Sequence, residues 1–322
     1  MKLIGFYTST IGSFPLEDSE ENRERCIKDL IDLGIDFPVY PQLKDMGRQF
    51  LEDLVKQNCG ITVKNGKYFL NGSKISLDVQ PPGLEPFIWT IKYLKKRGLK
   101  VKVKAAITGP FTLSSYIEVD RGAFPFNTAI SRIEVVNQIA RILAESCKIV
   151  SREASMISID EPILSVIVGR RIPFKYEEES IIKTLDFLRE SCGEVLTGIH
   201  VCGRISPKLS NLLLKTSLDF LSHEFHDTPE NREVYNPRDL KSSGKILSVG
   251  CISSKNPRIE SVQEILSLMN RFKDYGECII FTPDCGFRNL IVDGSREKGY
   301  ETAIKKLRNM VAATIKFREI RH

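Results

Sequence analysis

The chain alternates short apolar runs with longer stretches in which apolar residues recur every three or four positions. Helical spacing is clearest over residues 127–150, 259–273 and 296–315. The short runs have the length and composition of strands. They are KLIGFYTS (2–9), DFPVY (36–40), KVKVKAAIT (100–108), SMISID (155–160), VLTGIHVC (195–202), SLDFLSHE (217–224), KILSVGCI (245–252) and ECIIFTPD (277–284). This alternation predicts an α/β protein with a mostly parallel sheet.

Eight strands with helices between most of them, in a chain of 322 residues, predict a single (β/α)8 TIM barrel. We therefore interpret residues 1–322 as one catalytic barrel domain. A doubly wound sheet is the alternative, but it needs a glycine-rich phosphate turn after the first strand, and TIGSFP (10–15) is not one. The Asn-Gly pairs in KNGKYFLNGSK (64–74) predict a β-hairpin inserted in the second βα connection.

Charge and hydropathy limit the classes of partner. The net charge of +6 is spread over 47 basic and 41 acidic residues, so a nucleic-acid-binding role has little support. We interpret the basic segment 92–104 as a solvated helix end and the strand after it. No apolar run reaches the ~20 residues of a membrane span, and the N-terminus is too short and polar for a signal peptide. We expect a cytoplasmic protein with neither a membrane nor a nucleic-acid partner.

Candidate metal ligands follow three of the predicted strands, at the end of a barrel where active sites lie. His200 and Cys202 are two residues apart and project to the same face of a strand. Alone, this pair is weak evidence for a metal site, because a buried strand that contains both residue types by chance explains it better. Glu224 and Cys285 lie at the ends of other strands, so all four side chains can converge. The set predicts a Zn²⁺ site.

The other cysteines are interpreted differently. In a cytoplasmic protein we expect them to be reduced. Most lie in helical or mid-strand patterns, where cysteine serves as a small core residue. They are Cys26, Cys59, Cys147, Cys192, Cys251 and Cys278.

The predicted ligand set favours one kind of chemistry. Zinc held by two thiolates, an imidazole and a carboxylate carries a formal charge of about −1 and activates water poorly. An incoming thiol loses its proton on such a centre and stays nucleophilic. We therefore expect alkylation of a thiol, with the carboxylate as the ligand that yields its position. A purely structural zinc is the alternative, which a carboxylate ligand disfavours.

Several segments, taken in order, resemble the catalytic C-terminal half of the cobalamin-independent methionine synthases. They are TSTIGSFP, ITGPFTL, ISIDEPIL, IHVCG, the glutamate of SHEFHD, and FTPDCG. The resemblance extends from Thr8 to Cys285 and implies a (β/α)8 barrel, zinc on the four predicted ligands and homocysteine as the methyl acceptor. Because the chain has no room for the second barrel of the long enzymes, it is similar to the short core methionine synthases of archaea.

The resemblance also implies how an amino-acid substrate is held. Ile11, Gly12 and Ser13 are expected to bind the carboxylate of homocysteine through backbone N–H groups and a hydroxyl. Asp160, in the IDEP segment, is expected to pair with the ammonium group. Hydrogen bonds to charged groups are strong, so both roles are physically sound.

Other positions depart from the family pattern. A glutamate of the family falls at Tyr40 or Gln42, and we take Gln42 as a further substrate contact. Lys255 stands where the family has a histidine that handles protons. His226, two residues after Glu224, is our candidate proton carrier, with a solvated loop histidine as the alternative. Together with Asp160 it completes the predicted catalytic residues.

The segments that grip folate in the family are not retained. Leu77 and Asp78 occupy the paired positions before the Pro81–Pro82 turn, and Val166 replaces a glutamate. We therefore expect a methylated corrinoid, carried by a partner protein, as the methyl donor. The alternatives are a tetrahydrofolate or methanopterin donor, alkyl transfer to another thiol such as coenzyme M, and a metal-free barrel of the uroporphyrinogen decarboxylase kind.

Overall fold

The computed structural model describes residues 3–321. Residues 1, 2 and 322 lie outside the described part, and with them the start of the predicted strand 2–9 and both ends of the predicted domain 1–322. The strands are β1 Gly5–Thr8, β2 Ile61–Lys64, β3 Lys67–Leu70, β4 Lys104–Thr108, β5 Ile117–Glu118, β6 Met156–Asp160, β7 Leu196–Val201, β8 Phe220–Glu224, β9 Ile246–Ile252 and β10 Cys278–Pro283.

Helices precede or follow most of these strands. They are α1 Glu20–Asp32, α2 Met46–Lys56, α3 Glu85–Lys96, α4 Pro110–Ser115, α5 Ile133–Val150, α6 Leu164–Ile167, α7 Glu178–Ser191, α8 Pro207–Lys215, α9 Pro237–Ser242, α10 Val262–Arg271 and α11 Arg296–Arg321, with short 3₁₀ turns at Ala129–Ser131 and Pro229–Glu233. The three predicted helices correspond to α5, α10 and α11. α10 begins with a capping box between Ser261 and Glu264.

One sheet is parallel throughout and has the order β1-β10-β9-β8-β7-β6-β4. Its strands correspond to seven of the eight predicted ones, so the predicted parallel α/β arrangement is confirmed. Because all these strands run the same way, their carboxyl ends meet at one edge of the sheet. That edge carries the predicted site.

The second predicted strand, 36–40, is not a regular strand in the structure, which corrects the prediction. Pro38 has no N–H group, and the segment forms isolated bridges instead of a regular ladder. It still contacts both edges of the sheet: Phe37 N donates to Thr8 O (3.0 Å), and Lys104 N donates to Pro38 O (2.9 Å). The segment therefore lies between β1 and β4 without forming a continuous eighth strand.

The predicted hairpin is confirmed, slightly earlier in the chain than residues 64–74. β2 and β3 pair antiparallel, with Lys64 opposite Lys67. Asn65 and Gly66 join them with φ of 50° and 75°. Positive φ at both positions is the requirement of a type I′ turn, which explains why this Asn-Gly pair forms the turn.

A small apolar layer joins the segment 36–40 to the parallel sheet. The segment 36–40 and alternate strands β6, β8 and β10 each contribute one buried side chain to it. These are Phe37, Met156, Phe220 and Ile280. Met156 and Phe220 begin their strands, so the layer lies away from the edge that carries the site.

Within residues 3–321, no helix combines the length and the apolar character that crossing a bilayer requires.

The close packing of β7 against β8 can be tested at Gly198. A Cβ atom at Gly198 would lie 2.2 Å from Phe220 O and 2.3 Å from the Phe220 ring. We expect Gly198→Ala to lower the free energy of unfolding by about 2–3 kcal/mol, because β8 has to move away. Urea denaturation measures this. Gly169→Ala is the matched control, since no heavy atom lies within 4 Å of its Cβ. Equal stability of the two variants would contradict the packing described.

Candidate metal centre and active site

Three of the four predicted metal ligands meet at the carboxyl edge of the sheet. His200 and Cys202 lie at the end of β7, and Cys285 lies just beyond β10. His200 Nε2 is 2.8 Å from Cys202 Sγ, and Cys202 Sγ is 2.8 Å from Cys285 Sγ. Their three ligand atoms all lie within 4.8 Å of one another. The cluster therefore offers two sulfur atoms and one imidazole nitrogen to a metal ion.

Glu224, the fourth predicted ligand, has other partners. It ends β8, and 1% of its side chain is exposed. Its carboxylate accepts a hydrogen bond from Thr228 Oγ1 (3.1 Å) and pairs with Lys255 Nζ (3.2 Å). In the described part of the chain, the group whose ligand atoms lie within 4.8 Å of one another consists of His200, Cys202 and Cys285. Glu224 is not a member of this group. Glu224 as a ligand stays a prediction.

Burial controls the protonation of the cluster. The pKa of the Cys202 thiol is well above its usual value because Cys285 shares a hydrogen bond with it and because burial disfavours the thiolate. Burial also holds the pKa of His200 well below its usual value. His200 is therefore neutral, the form that binds metals. Its Nδ1 lies 3.1 Å from Ser222 Oγ, which fixes the orientation of the ring.

Asp160 lies beside this cluster because β6 and β7 pair with Asp160 opposite His200. It is buried and accepts a hydrogen bond from Ser158 Oγ (2.6 Å). Burial raises the pKa of Asp160 to about 6, while Lys104 and Ser158 act in the opposite direction. A carboxylate in this setting is ionised at neutral pH and suits a cationic group.

Lys104 ends the basic segment 92–104 and lies in β4, the strand predicted to follow the solvated helix end. Its side chain is buried at the start of β4, and Nζ donates to Thr10 O (2.9 Å). Burial lowers the pKa of Lys104 to about 8, and the charge of Asp160 opposes this shift. The signal in the sequence is the run AAIT directly after it, which marks Lys104 as part of a strand whose side chains are all buried.

The predicted carboxylate-binding residues form a tight turn after β1. Gly12 has φ of 145°, and a Cβ there would lie 2.2 Å from Gln42 Oε1. Gln42 N donates to Gly12 O (3.1 Å), and Phe287 N donates to Ser13 O (2.7 Å). The buried Ile11 and its neighbours are thus held between Gln42 and the segment that follows Cys285. Their role in substrate binding stays a prediction.

The two histidines that flank Glu224 differ. His223 is fully buried, with Nδ1 3.1 Å from Val201 O and Nε2 2.9 Å from Tyr235 Oη. His226 is partly exposed, and its Nδ1 lies 2.9 Å from Asp227 Oδ1. Asp227 raises the pKa of His226. His223 therefore has a structural environment, whereas His226 is free to exchange protons with solvent.

Asp284 organises the chain around His226. Its carboxylate accepts hydrogen bonds from the backbone N–H groups of Phe225 (3.0 Å), His226 (3.0 Å) and Asp227 (2.6 Å). Because Asp284 directly precedes Cys285, one residue couples the loop after β8 to the cluster.

Sequence reasoning did not assign roles to Ser222 and Lys104.

A parallel sheet that gathers sulfur and imidazole donors at its carboxyl edge defines an α/β enzyme with a thiol-rich site. Residues 83–316 match the profile described as the catalytic domain of cobalamin-independent synthase. The chain belongs to the cobalamin-independent methionine synthase family and is a methyltransferase. The resemblance inferred from the sequence motifs is confirmed.

Individual relatives agree with this assignment. A methionine synthase of Methanocaldococcus jannaschii is 26% identical over 95% of this chain and 98% of its own length. One from Methanothermobacter thermautotrophicus is 31% identical over 66% of this chain and 62% of its own length. A structure of a B12-independent methionine synthase from Shewanella sp. W3-18-1, in complex with selenomethionine, has a TM-score of 0.69 at 18% identity, covering 97% of this chain and 98% of that one. The structural likeness shows a shared fold.

The buried His223 generates a prediction on pH. Burial lowers the pKa of His223 to about 4, so below pH 6.5 the unfolded chain takes up a proton there that the folded protein does not. Stability is therefore lost as the pH falls through this window. Between pH 7 and pH 5 we expect the wild type to lose about 2 kcal/mol more than His223→Gln. Chemical denaturation at both pH values measures the difference.

His226→Gln is the comparison for this experiment. The pKa of His226 is raised, so its contribution to stability is present at low pH and is lost as the pH rises. We expect a difference of the opposite sign from that of His223→Gln. A His223→Gln variant with the same pH dependence as the wild type would contradict a neutral, buried His223.

Proposed function

We propose that the protein is a zinc-dependent methyltransferase that transfers a methyl group to the thiol of L-homocysteine to form methionine. The observation that carries this proposal is the convergence of His200 Nε2, Cys202 Sγ and Cys285 Sγ within 4.8 Å. The family supplies the reaction class, and relatives named methionine synthase supply the product.

The donor set fits zinc. Two cysteine sulfurs and a neutral imidazole are ligands that Zn²⁺ prefers, and Ser222 orients the imidazole from its other side. Glu224 is the proposed fourth ligand. Zinc bound there would deprotonate a substrate thiol that burial would otherwise keep protonated.

The chain's own residues bind and orient the amino acid. Asp160, ionised and supported by Ser158 and Lys104, pairs with the ammonium group. Residues 11–13, with Gln42 packed behind them, hold the carboxylate. Both elements lie at the same edge of the sheet as the cluster, so the thiol of a substrate bound between them is within the site. This favours an amino-acid thiol over coenzyme M.

The proton released by the thiol needs an acceptor. His226 is the proposed carrier, because its ring is partly exposed and Asp227 Oδ1 lies 2.9 Å from Nδ1. An imidazole paired with a carboxylate accepts a proton at one nitrogen while the carboxylate stabilises the resulting charge. Solvent then receives the proton.

The remaining proposals concern the whole chain. We interpret the sheet as a complete eight-stranded barrel in which the segment 36–40 takes the eighth place, and residues 1–322 as a single catalytic domain located in the cytoplasm. The bridges of that segment to β1 and β4 support closure. So does the layer of four side chains from alternate strands, which is the packing found inside such barrels.

The methyl donor is proposed to be a methylated corrinoid on a partner protein. This rests on the replacement of the folate-gripping residues by Leu77, Asp78 and Val166. All three side chains are exposed, so none of them packs in the hydrophobic core. A methyl–cobalt bond supplies an activated methyl group without a pterin pocket.

An assay of zinc-loaded protein tests these proposals. L-homocysteine is offered with methylcobalamin, methyltetrahydrofolate or a methanopterin analogue in separate reactions, and coenzyme M replaces homocysteine in a parallel set. We expect methionine from homocysteine and methylcobalamin. We also expect Cys285→Ala to lower zinc content and turnover by about 100-fold. Cys278→Ala is the control, because it removes a sulfur from the start of β10, at the opposite end of the strand from the cluster.

The outcomes separate the parts of the proposal. Methionine from methyltetrahydrofolate alone would overturn the donor assignment and leave the acceptor assignment intact. Turnover of coenzyme M in preference to homocysteine would overturn the acceptor. Full zinc content and full turnover in Cys285→Ala would remove the proposed ligand set.

A further inference from the structure

Lys255 connects solvent to the buried carboxylate of Glu224. It lies in the loop after β9, and its side chain is 65% exposed, whereas that of Glu224 is 1% exposed. Nζ lies 3.2 Å from Glu224 Oε2 and 3.4 Å from Oε1, so the ammonium group contacts both oxygens. The ion pair thus bridges the protein surface and the end of β8.

The loop holds Lys255 in this position. Ser253 Oγ accepts hydrogen bonds from the backbone N–H groups of Lys255 (3.2 Å) and Asn256 (2.9 Å). Ser253 N donates to Glu260 Oε1 (2.9 Å), and Glu260 forms a fully buried ion pair with Lys306 (2.8 Å). The backbone that carries Lys255 is therefore anchored to α11, and its placement opposite Glu224 follows from the fold.

Glu224 has two competing sets of partners. Lys255 and Thr228 bind its carboxylate. The Glu224 charge also adds to the effects of Cys285 and burial that raise the pKa of the Cys202 thiol, so the carboxylate lies near the cluster as well. A carboxylate bound by an ammonium and a hydroxyl group is less available to a cation, since each oxygen has a limited number of acceptor sites.

We propose that Lys255 is a positioning residue that competes with the metal for Glu224 and so keeps the fourth ligand position exchangeable. This inference rests on the proposed function. His200, Cys202 and Cys285 remain permanent ligands, while the carboxylate of Glu224 exchanges between the metal and Lys255. The position that Glu224 vacates is the one available to the substrate thiol. The competition lowers metal affinity and raises thiol affinity.

Metal binding provides the direct test. Lys255→Met removes the charge and the donors but keeps the length of the side chain. We expect it to tighten zinc binding about tenfold, measured by competition with a chelator, because Glu224 loses its other partner. The measurement is made at 0.2 M salt, where long-range effects of an exposed charge are screened. Lys255→Arg retains the ion pair and is expected to retain wild-type zinc affinity.

Thiol binding provides a second readout. In the Co²⁺-loaded protein, the sulfur-to-cobalt absorption band reports each thiolate that joins the metal. We expect homocysteine to increase this band in the wild type, and the concentration for half-maximal change to rise about tenfold in Lys255→Met. The same substitution in a Glu224→Gln background is expected to change neither affinity, because the competition no longer exists.

A matched control separates this effect from the general loss of an ion pair. Lys67 is 66% exposed and pairs with Glu118 at 2.8 Å, away from the cluster, so Lys67→Met should leave both affinities unchanged. Unchanged affinities in Lys255→Met, or the same change in the Glu224→Gln background, would overturn the inference. Failure of the wild type to bind zinc or Co²⁺ would instead overturn the proposed function.

Discussion

The register of the parallel ladder is the constraint on which the site depends. Backbone hydrogen bonds pair Asp160 with His200, His200 with Ser222, and Glu224 with Gly250. A shift by one residue would turn each of these side chains to the opposite face of the sheet. The geometry of the site is therefore set by the same bonds that stabilise the fold, and the site needs no separate framework.

Several charged side chains are buried near this edge of the sheet, and each of them has hydrogen-bond partners. Lys104 reaches Thr10 O, Asp160 accepts from Ser158, and Asp284 accepts three backbone N–H groups. An unpaired polar group at such depth costs free energy, so each of these bonds offsets a desolvation cost. The same contacts orient the residues that bind substrate and metal in our proposal, which ties stability to preorganisation.

Much of the fold was predictable because hydrophobic periodicity reports burial directly. Seven of the eight predicted strands, three helices and the Asn65-Gly66 hairpin correspond to observed elements. The segment 36–40 was predicted wrongly as a regular strand, because its apolar pattern matches a strand while Pro38 withholds the N–H group that a ladder needs. The sequence placed Lys104 in a strand but did not predict that its side chain is buried, since a buried lysine is rare and its neighbours are basic.

By itself, the sequence determined the order of the elements, the family motifs and the convergence of His200, Cys202 and Cys285, because strand ends in a parallel sheet meet at one edge. Only the tertiary structure decided which partner each side chain has. It separated a buried His223 from a partly exposed His226. It also placed Glu224 against Lys255, 31 residues away in the chain. Such pairings depend on distances of a few ångströms between loops, which no local pattern encodes.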